Sequence, residues 1–220
     1  MSFKFYQIEV GWFQNFNYVL YDTETNEAAL VDPAFEVDRL EKFVVENNLK
    51  VTQILLTHSH DDHVEGLPLA LHTFGEDLPV IVHPAQADRI KDAGAKVKLV
   101  TGGETVKIGN VQGKIYHTPG HQEGSLCFEF PGHLVTGDTL FVGYVGRTNF
   151  ERSSNEGMYD SIYDILFKLP DDMVVLCGHN YGKTPLTTIG DEKKTNPWFQ
   201  YQGRKADFVK EKSEYDKGRS

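Results

Sequence analysis

Seven consecutive residues, Thr57-His58-Ser59-His60-Asp61-Asp62-His63, hold three histidines and two aspartates, directly behind the apolar run Ile54-Leu55-Leu56. A short apolar run bounded by polar residues reads as a buried strand. Here the strand covers Val51 to Thr57, and its end delivers the histidines and carboxylates into a loop that Glu65-Gly66 then turns. Neutral imidazole and carboxylate are borderline-hard donors suited to zinc, manganese and iron. In an extended loop, residues two apart turn toward one ion, as His58 and His60 would. Asp62 and His63 lie further along, within reach of a second.

Three more candidate donors follow, each at a turn after a strand pattern. His121 ends Thr118-Pro119-Gly120-His121, Asp138 sits in Thr136-Gly137-Asp138-Thr139, and His179 sits in Cys177-Gly178-His179-Asn180. A glycine stands immediately before each, where tight approach or unusual φ is useful. With His58, His60, Asp62 and His63 they give seven donors, enough for two ions sharing one carboxylate. His72, His83, His117 and His133 belong to no such pattern and read as structural.

The rest of the chain builds a frame for these turns. Phe3 to Val10, Asn15 to Tyr21 and Ala28 to Asp32 alternate like three strands of an antiparallel meander. Val37 to Asn47 shifts to helical spacing, with Val37, Leu40, Val44 and Val45 on one face. Helices are expected over Leu67 to Phe74 and Ala85 to Ala93, with a strand at Val80 to Val82. Thr105 to Ile108, Val111 to His117, Ser125 to Phe130 and His133 to Thr136 read as four strands. Glu156 to Leu169 reads as an amphipathic helix and Val174 to Cys177 as a last buried strand. The order suggests two similar halves, each a sheet covered by helices, packed sheet to sheet. One domain over 1–200 is expected, with 201–220 a short surface helix or frayed tail.

Composition narrows the function classes. The 220 residues are 40% hydrophobic and carry a net charge of −10, which argues against a general nucleic-acid or anionic-membrane surface. No stretch approaches the ~18 apolar residues of a membrane helix. The N-terminus lacks the apolar block of a signal peptide, so a cytoplasmic protein is expected. Cys127 and Cys177 form no metal-type pair and no disulfide framework, and Cys177 reads as a buried core residue.

His58-x-His60-x-Asp62-His63, with His121, Asp138 and His179 in order, resembles the metallo-β-lactamase superfamily over most of the chain, to about Gln200. The resemblance implies an α/β fold, a four-layer αββα sandwich. It assigns His58, His60 and His121 to a first metal and Asp62, His63 and His179 to a second, with Asp138 bridging. The lactamases proper usually carry a cysteine at the position of Asp138. That difference, with no export signal, argues against antibiotic hydrolysis.

Within the superfamily, Gly137-Asp138-Thr139-Leu140-Phe141, Gly146-Arg147-Thr148, Gly178-His179-Asn180-Tyr181 and Asn196-Pro197 resemble glyoxalase II (hydroxyacylglutathione hydrolase) and the persulfide dioxygenases. The chain is too short for the added C-terminal helical domain of the longer glyoxalase II type, so the short glyoxalase II-like proteins, or the dioxygenases, which share the Gly-Arg-Thr and Asn-Pro features, are the nearer likeness. Gln122-Glu123 replaces the more usual pair after His121 and alters the pocket rim. By resemblance, Arg147 and Tyr181 contact glutathione, and Lys183 is a third candidate contact.

Two mechanisms follow. In the first, two divalent ions (zinc, with iron or manganese as alternatives) hold a hydroxide that attacks a glutathione thioester, with Asp62 or Asp138 orienting it or taking its proton. In the second, His58, His121 and Asp138 hold a single Fe(II) that oxidises glutathione persulfide with dioxygen. Either way the expected partner is a small anionic thiol or thioester such as a glutathione conjugate, with no nucleic acid and no membrane.

Overall fold

The computed structural model describes residues 2–218. β1 (Phe3–Val10), β2 (Asn15–Asp22) and β3 (Glu27–Val31) form the antiparallel meander that the alternation implies. Helix α1 (Val37–Glu46) buries Val37, Leu40 and Val44 and returns the chain to β4 (Lys50–Leu55), which pairs parallel with β3. The one-turn helix α2 (Asp61–Val64) and α3 (Leu67–Phe74) follow. Next come β5 (Pro79–Val82), the short helix α4 (Pro84–Ala87), a 3₁₀ turn at Lys91–Ala93 and β6 (Lys96–Leu99). These strands make a six-stranded sheet in the order β1-β2-β3-β4-β5-β6.

The second half contains β7 (Thr105–Ile108), β8 (Val111–His117), β9 (Leu126–Phe130) and β10 (His133–Gly137). A small ribbon of β11 (Leu140–Phe141) and β12 (Tyr144–Val145) precedes helix α5 (Asn155–Asp160). β13 (Val174–Cys177), β14 (Thr187–Thr188), helix α6 (Ile189–Thr195) and helix α7 (Lys205–Lys217) complete the described chain. The second sheet has the order β14-β13-β10-β9-β8-β7.

Strand periodicity explains the layers. In β3, Ala28 and Leu30 face the cluster formed with α1 and α3, while Ala29 and Val31 face the cluster shared with the second sheet. The first sheet is therefore buried on both faces, which is why its central strands read as continuous apolar runs. The fold is the four-layer αββα sandwich.

Several expectations need revision. The helix expected over Ala85 to Ala93 is a single α-turn and a separate 3₁₀ turn, closed by Gly94 at φ +69°. The long helix expected over Glu156 to Leu169 changes winding twice. α5 passes into a π-turn at Ser161–Ile165 and a 3₁₀ turn at Leu166–Lys168, and Ser161 donates its hydroxyl to Pro119 O at 2.6 Å. β6, the β11–β12 ribbon, β14 and α6 are additions; the ribbon strands and β14 are two residues each, too short for a periodic signal. The chain end forms α7, with Phe208, Lys212 and Asp216 buried. Arg219 and Ser220, the last residues of the expected tail, lie outside the described residues. Among the described residues, no helix is long and apolar enough to cross a membrane.

Candidate metal centre

The fold gathers the donor turns at one edge of the sandwich. β3, β4 and β5 run parallel, as do β10 and β13, so the segments after β3, β4, β10 and β13 emerge at carboxyl ends of strands. Loops at such ends are the usual location of ligand sites in α/β sheets. β8 is antiparallel to β9 and β9 to β10, so the turn after β8, with His121, exits at the same edge as Asp138. Backbone bonds join the two halves there. Phe16 N donates to Gly178 O (2.8 Å), Asn180 N to Gln14 O (2.8 Å) and Leu126 N to Thr57 O (2.8 Å).

The seven predicted donors come together. His58 Nε2 lies 3.1 Å from His60 Nδ1, and His121 Nε2 lies 3.0 Å from the same atom. This trio could hold one cation. Ser59, between the first two, turns away and donates its backbone N–H to Gln86 Oε1 (2.7 Å), so His58 and His60 point inward together. The segment after His60 is not extended as expected. It winds into α2, which presents Asp62 and His63 toward His179. His63 Nε2 is 3.1 Å from His179 Nε2, and Asp62 Oδ2 is 3.4 Å from His179 Nε2. This second trio could hold another cation. Asp138 Oδ2 is 3.4 Å from His121 Nε2 of the first trio and 3.4 Å from His179 Nε2 of the second.

The outer edges of the rings say which nitrogens bear protons. His121 Nδ1 donates to Arg147 O (2.8 Å) and His179 Nδ1 to Phe13 O (2.8 Å), so their Nε2 atoms face the centre bare in the neutral ring. Thr57 Oγ1 gives its proton to Asp32 Oδ2 (2.5 Å) and therefore accepts from His58 Nδ1 (3.1 Å). His63 Nδ1 is held by Asp32 Oδ2 at 3.0 Å. Gln122 Nε2 donates to His60 Nε2 (2.8 Å), on the side away from the centre, so the neutral His60 ring carries its proton on the inward Nδ1, where a metal would displace it. His58 Nε2 and His121 Nε2, both bare in the neutral rings, converge on His60 Nδ1 at about 3 Å, more lone pairs than its one proton can satisfy and a place that suits a cation. Asp138 Oδ1, buried and without a hydrogen bond, points to the same need. A set of imidazoles and carboxylates with their outer edges fixed in this way fits divalent metal ions.

Proton affinities differ across the centre. Burial, with the neighbouring histidines, holds His58 well below the usual imidazole range and brings His60 down to about 4; burial also lowers His121. His63 behaves oppositely. Burial pulls it down, but the Asp138 and Asp32 carboxylates outweigh that and raise it well above the usual value. Asp138 is disfavoured as an anion by burial, yet His179 and His63 hold it well below the carboxylate range.

Asp32 is the functional residue that sequence reasoning missed. It touches the outer edge of one ring in the second trio directly and one in the first through Thr57, and its backbone adopts φ +43°. That left-handed conformation is uncommon outside glycine and is held here by the surrounding bonds. A lone aspartate before Pro33 gave no spacing signal. Gln122, noted only as a departure at the pocket rim, meets His60.

Two of the glycines flagged before donors have identifiable roles. Gly137 adopts φ +47°, and a side-chain carbon at Gly178 would overlap Asp138 Oδ1. Gly146 is equally constrained, since a Cβ there would overlap Asp138 O.

The three candidate substrate contacts separate. Arg147 and Tyr181 line a cleft of about 320 Å³ together with His60, Asp62, His121, Asp138 and His179. The Arg147 guanidinium lies 4.5 Å over the Phe150 ring, and Tyr181 stacks on His179 with centroids 4.6 Å apart. Burial, then Asp138 and Asp62, raises the Tyr181 phenol to about 12. Lys183 lines an adjoining groove of about 760 Å³ that meets the cleft at Tyr181. His83 and His117 stack on each other, and His133 packs against Phe3 and Phe5, away from the centre. Cys127 and Cys177 are free and buried.

Known proteins resemble this chain in sequence and fold. The sequence profile of the metallo-β-lactamase superfamily matches residues 10–179. The probable polyketide biosynthesis zinc-dependent hydrolase PksB of Bacillus subtilis is 30% identical, over 96% of this chain and 93% of that protein. A hydroxyacylglutathione hydrolase of Synechococcus sp. is 34% identical, over 85% of this chain and 84% of that protein. The crystal structure of ETHE1 from Myxococcus xanthus superposes with a TM-score of 0.82 and 31% identity, covering 96% of this chain and 90% of that one. With a family profile spanning both donor trios and relatives matched along nearly their whole length, this chain belongs to the metallo-β-lactamase superfamily.

Proposed function

We propose that the protein is a dinuclear metallohydrolase that cleaves a glutathione thioester of the S-2-hydroxyacylglutathione kind. The observation that carries this reading is the shared carboxylate, because Asp138 Oδ2 is equally distant from a histidine of each trio. His58, His60 and His121 would hold the first ion, Asp62, His63 and His179 the second, and Asp138 both. Two divalent ions there would lower the pKa of a shared water toward neutrality and polarise a carbonyl.

The protein's own groups supply the remaining functions. Asn15 Nδ2 anchors Asp62 Oδ2 at 3.0 Å, and Asp62 lines the cleft, so a carboxylate oxygen of Asp62 or Asp138 takes the proton released as the new C–O bond forms. The C–S bond breaks and the thiol half leaves as a thiolate. The Arg147 guanidinium binds the anionic thiol half. Tyr181 stays protonated at neutral pH and donates to it. Lys183, in the adjoining groove, serves the far end of a long thiol arm. The names of the Synechococcus and B. subtilis relatives support a hydrolase, with zinc as the first metal to test.

The likeness to ETHE1 and the Gly146-Arg147-Thr148 segment favour a second reading, a persulfide dioxygenase with one Fe(II) on His58, His121 and Asp138. Against it stands His60, whose Nδ1 meets the other two rings as closely as a third ligand would and which that triad leaves unused. The two readings separate on one pair of assays. Hydrolysis of S-lactoylglutathione without oxygen uptake is expected. Oxygen uptake with glutathione persulfide by iron-loaded protein, and no thioester cleavage, would replace the first reading by the second.

A further inference from the structure

Helix α7 reaches the metal centre through a single peptide group. The Arg147–Thr148 peptide offers its carbonyl to His121 Nδ1 at 2.8 Å and its N–H to Asp216 Oδ2 of α7 at 2.7 Å. A peptide group is planar and rigid, so fixing one end orients the other. A carboxylate on the N–H also polarises the carbonyl and makes it a better acceptor.

Asp216 is 2% exposed, and its Oδ2 is in contact with Nζ of Lys212, which is fully buried one turn earlier. The same carboxylate oxygen meets Thr148 Oγ1 at 2.8 Å, and Asp216 O accepts from Asn149 Nδ2 at 3.1 Å. Phe208 packs α7 edge-on against Trp198 and Tyr159, with ring centroids 5.4 Å apart in each case. A buried ion pair is a poor source of stability, since apolar residues of similar volume commonly do as well. Its location here, on the far side of the peptide that holds a metal-site histidine, indicates another use.

We propose that Asp216, held by Lys212, is a positioning residue for the first trio: through the Arg147–Thr148 peptide it sets the orientation of His121, and so the affinity of that trio for its metal. The second trio has its outer contacts on Phe13, Asn15 and Asp32 and touches α7 nowhere along this path. The inference rests on the first trio holding a metal, as the proposed function requires.

The test is a zinc titration of metal-free full-length protein against a competing chelator, with His121→Ala identifying the step that belongs to the first trio. The double variant Asp216→Ala/Lys212→Met removes both buried charges together. Its first-trio affinity is expected to fall by about 10-fold or more, the scale of outer-contact losses at metal sites, while the second step stays within about twofold. Asp216→Asn in the Lys212→Met background, which keeps an acceptor for Thr148 N–H without leaving a buried charge, should recover most of the loss. Unchanged affinity in a folded double variant, or equal losses at both steps, would overturn the proposal. If the double variant does not fold, Asp216→Glu, which keeps the charge beside Lys212 but moves the carboxylate off Thr148 N–H, should still weaken the first step alone; no change there would also overturn it. A parent protein without two binding steps would instead refute the dinuclear reading itself.

Discussion

The two donor trios share Asp138 and lie side by side, yet they are built on opposite terms. The first is three imidazoles with depressed proton affinity, their outer edges held by the Thr57 hydroxyl, the Gln122 amide and the Arg147 carbonyl. The second is two imidazoles and a carboxylate, with outer hydrogen bonds to Phe13, Asn15 and Asp32 of the N-terminal sheet and its connections. Burial favours the neutral form of the first trio's imidazoles, while the Asp138 and Asp32 carboxylates favour a proton on His63 in the second. The difference teaches that equal ligand counts do not make equal sites. The wiring behind the ligands decides when each one fills.

Breaking the shared element should have the largest effect. Asp138→Ala removes the one group common to both trios and is expected to lower kcat/KM for a thioester by ~10³-fold or more, the loss of several kcal/mol of metal-assisted stabilisation. Full activity in that variant would contradict the whole assignment.

Asp32→Asn comes next, because Asp32 contacts His63 directly and His58 through Thr57. Metal affinity should drop by about 10–100-fold at both trios. A loss confined to the second trio would show the Thr57 link to be idle.

The proton inventory sharpens the contrast further. His63 has a raised pKa in the metal-free fold and must lose its proton to bind a metal, so filling the second trio should release about one proton near neutral pH. Its affinity then rises with pH, by about tenfold per unit below that pKa. The first-trio histidines have lowered values, so that affinity should be flat above about pH 6.5 and weaken only as pH falls toward the lowered pKa of His60, about 4. Calorimetric titration in buffers of different ionisation enthalpy reads both. Equal proton release at the two steps would erase the distinction.

The smallest effect is expected from Tyr181→Phe. It removes the proposed hydrogen bond to the thiol half and leaves the stacking on His179, so KM should rise about fivefold with kcat little changed. A fall in kcat with constant KM would move the phenol from binding into the chemistry.

The same contrast governs what could be read from sequence. The seven candidate donors were legible because they are dense in the His58–His63 stretch and because each later one follows a strand and a glycine. The residues that hold them were not. Asp32 and Thr57 are polar residues at strand ends with no spacing of their own, and their role appears only when β3 and β4 pair. A helix was one of the two expectations for the chain end, but the packing of α7 was obscured because two of its three buried residues, Lys212 and Asp216, carry charges that read as a solvent-facing side. The longer strands of both sheets and helices α1 and α3 lie where the sequence pattern places them. The switch from α to π to 3₁₀ winding after Asp160 leaves that period intact and so leaves no trace in it.

The central claim is that two cations sit side by side and share Asp138. Elemental analysis of purified, metal-saturated protein tests it most directly. Two divalent ions per chain, falling to one in His179→Ala with the first trio still filled, is the result the account predicts. A single ion per chain that survives His179→Ala unchanged would contradict it.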